Sequence, residues 1–231
     1  MELRRRSKLA DGFAAIGANA LVLVIIFAVN GLLVLIAYLL RSERPPPPTV
    51  DVVFVFDTTG SMRDEIDGMV RASRDFAAEL ASTGADFRIG AVTFGDEVRA
   101  TQPMTNDVEQ VRGFFGRLSA EGGDDEPEDF ILGGMTAASS MTWRPEAKRF
   151  FIFITDASYH PRSAMGQSFD DLRQAAKTLG ATVYVAAVPA VREYRTFAEE
   201  TGGKFYDIHG MSRFDMVVID IGKNIAGSLS Q

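Results

Sequence analysis

The sequence predicts a doubly wound, mostly parallel α/β sheet preceded by a single membrane-spanning helix. Three observations predict it. Short Val/Phe/Ile-rich runs such as VDVVFVF and RFFIFIT alternate with segments of helical periodicity. Continuous apolar runs of that length suit strands buried on both faces, and alternation with helices implies right-handed crossovers between parallel neighbours. Ahead of them, residues 13–40 contain no charged residue.

The chain has 231 residues with 46% hydrophobic and 24% charged content, so a packed core rather than disorder is the expectation. It has no cysteine, which excludes disulfides, thiolate metal sites and cysteine nucleophiles. Residues 1–48 carry six Lys/Arg and three Asp/Glu; the remainder carries 18 and 28. A strongly acidic main domain argues against nucleic acid as the partner.

Residues 1–12 form a short basic N-terminus. Residues 13–40, as a helix, would extend about 42 Å against a hydrocarbon core of about 30 Å, which fits one span and not two. A cleaved signal peptide shares the basic start, but its apolar core is shorter, and Leu40-Arg41-Ser42-Glu43 offers no small-x-small cleavage site. Four basic residues before the span (Arg4, Arg5, Arg6, Lys8) against two after it (Arg41, Arg44) place the N-terminus in the cytoplasm. The main domain is then periplasmic or extracellular. Asn19 and Asn30, eleven residues apart, fall on one helix face, where they can bond a neighbouring membrane helix and support oligomerisation. Asp11, a lone acid before the apolar run, loosely resembles the anchors of proton-driven stator subunits.

Residues 41–49 (RSERPPPPT) form a linker whose four prolines favour an extended, stiff polyproline II spacer. The domain follows from residue 50 to 231. Its predicted order is strand 50–56, helix 64–80, strand 87–94, edge strand 97–101, helix 108–118 and helix 128–141. Strand 149–155, helix 169–179, strand 182–188, helix 193–201, edge strand 204–206 and helix 211–229 complete it.

Polar clusters fall where strands end. Asp57, Thr59 and Ser61 alternate directly after the first strand, so in an extended loop their oxygens can converge. A carboxylate with two hydroxyls is a hard-oxygen set, suited to magnesium or manganese rather than zinc. A helix N-cap with first-turn acids Asp64 and Glu65 is the plainer reading of the same residues. Two further acidic clusters, GGDDEPED at residues 122–129 and TDASYHP at 155–161, bring three segments to one sheet edge, where open α/β folds bind ligands. His160, a lone loop histidine before a proline, reads as structural.

These three segments together resemble the von Willebrand factor type A domain with its metal-ion-dependent adhesion site. Asp57, Thr59 and Ser61 match the family's Asp-x-Ser/Thr-x-Ser turn, and Asp156 matches its aspartate after a hydrophobic strand. The middle segment departs from the threonine of the best-known members. It resembles instead a branch with a GGGDxPED-type loop, which also shows a later tryptophan and DAxxH, matched by Trp143 and residues 156–160. The resemblance implies that Asp125, or Asp124 in its stead, takes the threonine's place. It also implies a divalent cation, Mg2+ or else Mn2+ or Ca2+, and recognition of a protein partner. Three carboxylates around one cation make a site that holds its ion well and grips a partner's carboxylate weakly.

Two other functions compete. In a stator-like membrane complex the anchor would do the work and the folded domain would be structural. A strand ending in Asp-x-Thr is half of the DxDxT phosphotransferase signature, but Thr59 stands where its second aspartate belongs. GxSxG, GxxxxGK and HExxH are absent from the sequence, so an enzyme is not expected.

Overall fold

The computed structural model describes residues 27–38, 46–123, 127–209 and 213–229. The chain divides into two units, Met1–Pro46 and Pro47–Gln231. In the first, residues 27–38 form helix α1 with exposed side chains throughout, and Asn30 lies within it. The rest of the predicted span, with Asp11 and Asn19, lies outside the described residues. Among the described residues no helix is long and apolar enough to cross a membrane.

The second unit is a six-stranded sheet of order β3-β2-β1-β4-β5-β6. Its strands are β1 (Thr49–Asp57), β2 (Asp86–Phe94), β3 (Val98–Thr105), β4 (Lys148–Thr155), β5 (Ala181–Ala187) and β6 (Phe205–Asp207). All neighbours pair in parallel except β2 with β3, the antiparallel edge hairpin. Central β1 pairs with both β2 and β4. Chain direction across the sheet therefore reverses between β1 and β4, the switch point where such sheets open a crevice at their carboxyl ends.

Side chains alternate across a strand, so β1 feeds two cores. Val50, Val52, Phe54 and Phe56 face α2 (Arg63–Ser82), α3 (Val108–Phe115) and α7 (Phe214–Leu229). Val53 and Val55 face α4 (Phe130–Ser140), α5 (Phe169–Leu179) and α6 (Arg192–Glu200). Three helices thus cover each face. Edge-to-face aromatic pairs key the first core, with Phe54 against both Phe76 and Phe115.

Element boundaries differ from the sequence expectation in instructive places. The third strand runs to Thr105 because its pairing with β2 continues through a bulge at Ile89/Ala91. The helix expected over 108–118 stops at Phe115, where Gly116 caps it. The helix expected from 128 starts at Phe130 because the Asp129 side chain caps it, accepting from the Leu132 N–H. The last helix starts at Phe214 rather than 211; Arg213 is not helical.

At the opposite, amino end of the sheet, Asp51 is fully buried. It accepts paired hydrogen bonds from the Arg88 guanidinium and from the main chain and side chain of Arg144. Burial works to raise its pKa, but these cations outweigh it and hold the carboxyl below the ordinary aspartate value.

Candidate metal centre

Asp57 ends β1 and Thr155 ends the neighbouring β4, so both point into the switch-point crevice. Asp57 is fully buried, and its two oxygens have separate partners. Oδ1 accepts from the Thr59 main-chain N–H (2.8 Å) and the Thr59 hydroxyl (2.7 Å). Oδ2 accepts from the Thr155 hydroxyl at 2.6 Å. Ser61 donates to Asp156 Oδ1 at 3.0 Å, joining positions 95 apart in sequence.

The helix-cap reading fails on these contacts. Gly60–Met62 forms a 3-10 turn ahead of α2, and neither Thr59 nor Met62, the capping positions, makes a side-chain cap. Both hydroxyls point at carboxylates instead. Asp57, Thr59 and Thr155 are buried, Asp156 is partly exposed and Ser61 exposed, so the cluster runs from the sheet edge to solvent.

Electrostatics tighten the cluster. Burial pushes the Asp57 carboxyl above the ordinary aspartate range, and the Asp156 charge adds to this, against the lowering effect of three hydrogen bonds. Glu65, in the first turn of α2, is likewise raised by burial first and then by Asp156, Asp64 and Asp57. A cation would relieve this crowding, and the donors are all hard oxygens, so the set fits a divalent ion such as Mg2+.

The loop at 121–123 is pinned directly onto the Asp57 turn. Gly60 N–H donates to Gly122 O (2.8 Å) and Glu121 N–H to Thr58 O (3.1 Å). Gly122 and Gly123 both have positive φ (69° and 77°). A Cβ on Gly123 would stand 2.6 Å from Thr59 Cβ, so only glycine permits this approach. The same point is 3.2 Å from Glu128 Oε1, which places this buried carboxylate beside Thr59. Glu128 also forms a parallel bridge to Tyr159, bonding through its main chain to Ser158 and His160. Asp124 and Asp125 lie outside the described residues. Among the described residues, no three acidic, histidine or cysteine side chains group closely enough to hold a metal.

Sequence reasoning missed four contributors. Thr155 had a signal, a hydroxyl just before Asp156. Glu128 had one too, as the buried acid of the PED segment. Glu65 was read only as a first-turn acid. Arg99 had none: from β3 its Nη1 donates to Thr58 O and Glu121 O, both at 2.6 Å, clamping the two loops together. Of the singled-out histidine, His160 Nε2 stands 3.8 Å from Asp96 Oδ1, on the β2–β3 turn.

The fold is thus a doubly wound α/β domain with an oxygen-donor cluster at its switch point. The chain belongs to the von Willebrand factor A domain family, whose profile matches residues 51–209; this is a family of protein-interaction modules. It is 35% identical over 119 residues to alpha-protein kinase vwkA of Dictyostelium discoideum, covering 48% of this chain and 19% of that protein. It is 24% identical over 149 residues to human integrin beta-4, covering 52% of this chain and 8% of the integrin. The chain thus spans less than a fifth of these relatives' length. Two solved structures share the fold at TM-score 0.59. One is an aerotolerance-related membrane protein from Bacteroides fragilis (15% identical, 77% of this chain, 99% of that chain). The other is a von Willebrand factor type A protein from Catenulispora acidiphila (16% identical, 78% and 43%).

Proposed function

We propose that this protein is a single-pass membrane protein whose domain recognises a protein partner through a divalent cation. The span is residues 13–40, with the N-terminus cytoplasmic and the domain periplasmic or extracellular. The ion is Mg2+, or Mn2+ or Ca2+ in its place. Asp57, Thr59, Ser61 and Asp156 hold it, joined by Asp125 or Asp124 from the GGGDxPED-like loop, with Glu128 behind Thr59. The observation that carries this reading is the Ser61–Asp156 contact at 3.0 Å, in which an exposed hydroxyl and a partly exposed carboxylate from distant segments meet beside the buried Asp57. Binding rather than catalysis is proposed, since the hydroxyls and carboxylates of the cluster are the hard-oxygen donors a divalent ion takes.

The exposed apolar side chains of α1, Phe27, Leu32, Leu33 and Val34 among them, support the anchor. The partner is proposed to belong to a membrane complex. Calorimetric titration of the detergent-solubilised full chain with MgCl2, beside Asp57→Ala and Ser61→Ala variants, tests the ion. Saturable binding lost in the variants is expected; equal heats in all three would overturn it. Partner capture from solubilised membranes, with and without chelator, tests the role of the ion, and chelator-insensitive capture would remove it from the interface.

A further inference from the structure

Next to the metal loops lies a second concavity of about 350 Å3, bordered by β2, β3 and the chain after α3. Thr58, Thr93, Ser119, Arg99, Arg117 and Glu121 are among the residues that line it. Glu121 is the one acid among its described lining residues. This inverts the charge of the domain, which carries 28 acids against 18 bases.

Both arginines keep donors available. Arg117 makes no ion pair or side-chain hydrogen bond among the described residues; its guanidinium folds over α3, with Nη1 3.3 Å from where a Gly113 Cβ would stand. Arg99 spends only Nη1 on Thr58 and Glu121. Its Nη2 lies over Gly95 and Gly122, and neither Nη2 nor Nε has a hydrogen bond among the described residues. The Thr58 and Thr93 hydroxyls donate to Phe94 O and Ala100 O, so a guanidinium edge with uncommitted N–H groups beside the Ser119 hydroxyl is what matches a carboxylate in charge and planar geometry. Two guanidinium groups less one carboxylate leave a local charge of about +1, which suits a singly charged group better than a phosphate dianion.

We propose that this cavity receives an aspartate or glutamate side chain of the protein partner, held by Arg117 and Arg99 beside the cation rather than on it. The proposal deepens the partner-recognition reading above and rests on it. It resolves a difficulty in that reading, because a cation already ringed by carboxylates attracts a partner's acid weakly. It also sets the two sites side by side. The Arg99 guanidinium that would meet the partner's carboxylate holds the carbonyl of Thr58, the residue between Asp57 and Thr59.

The test uses the full chain in detergent micelles, 15N-labelled, with N-acetyl-glutamate methylamide as a singly charged probe. Its neutral glutamine counterpart and inorganic phosphate are the comparisons. Saturable shifts of the Arg117 and Arg99 Nε–Hε signals are expected with the glutamate probe and not with the glutamine one. Arg117→Gln should weaken the probe about tenfold, and Glu121→Gln should strengthen it. Both positions are exposed, so these variants should fold. Unchanged binding in Arg117→Gln, tighter binding of phosphate, or a response abolished by chelator would each overturn the proposal. Added MgCl2 reports the ion separately, through the Thr59 and Ser61 amides. Loss of that signal alone would sink the cation reading, and loss of the arginine response alone would sink the pocket.

Discussion

Thr155 Oγ1 donates a 2.6 Å hydrogen bond to Asp57 Oδ2, tying the carboxyl ends of the two strands that flank the switch point. The same hydroxyl accepts from the Ala157 N–H at 3.1 Å, so one buried oxygen orients both Asp57 and the turn carrying Asp156. The candidate ligands from β1 and β4 are therefore held by one side chain that is itself no candidate ligand.

Thr155→Val keeps the shape and removes that oxygen. It leaves a buried carboxylate oxygen and a main-chain N–H without their partner, a cost of about 1–3 kcal/mol. A lowered urea midpoint with unchanged slope would show it. Magnesium affinity, measured in the same preparation, should fall as well. A variant as stable as wild type would mean that another donor replaces the hydroxyl.

Arg99→Gln removes the clamp between Thr58 O and Glu121 O while sparing the strand that carries it. Amide exchange at Gly60 and Glu121, the donors of the two inter-loop bonds, should accelerate about tenfold or more. Exchange at the core of β1 should not change. Unaltered exchange at Gly60 would show that the glycine-mediated contacts suffice.

Asp51 sets an acid limit on stability. Its folded pKa lies below its unfolded one, through the Arg88 and Arg144 hydrogen bonds that outweigh burial. Its contribution is thus fully present above the unfolded value near 4 and is lost as pH falls through the folded value. Asp51→Asn should flatten the pH dependence of unfolding below about pH 4 and lower stability at pH 7 by about 3–5 kcal/mol, since partly buried Arg88 loses its counter-charge and Arg144 keeps only Asp86. Parallel acid limbs in wild type and variant would assign the acid sensitivity elsewhere.

Two glycines should respond to alanine with opposite sign. At Gly203 a Cβ would lie 1.8 Å from the Val183 carbonyl oxygen, main chain that cannot swing aside. Gly203→Ala should cost about 1–3 kcal/mol or more. At Gly227, inside α7, nothing stands within 4 Å. There alanine should stabilise by up to about 1 kcal/mol through helix propensity. Thermal midpoints of both variants check the pair.

Much of the fold was legible because its signals are local. The Val/Phe run of β1 and the FFIFIT run of β4 can satisfy their side chains only between two helical layers, so buried parallel strands followed from the residues. Asp129 is a different case. Its neighbours suggested an acidic turn and a helix start, but its second oxygen accepts from the Ala164 N–H, 35 positions away, which no local pattern encodes.

By itself, then, the sequence determined the alternation of elements, the two faces of β1 and the hard-oxygen character of the clusters at Asp57 and Asp156. Periodicity and residue chemistry are properties of short stretches, and these follow from them. Only the tertiary structure decided which oxygen meets which. It paired Ser61 with Asp156 rather than with Asp57, turned Thr59 from a helix cap into a partner of Asp57, and brought Arg99 across from the edge strand to hold Thr58. The reason is geometric: strand order puts β1 beside β4, and a hydrogen bond is won or lost over less than an ångström, a scale set by packing and not by spacing along the chain.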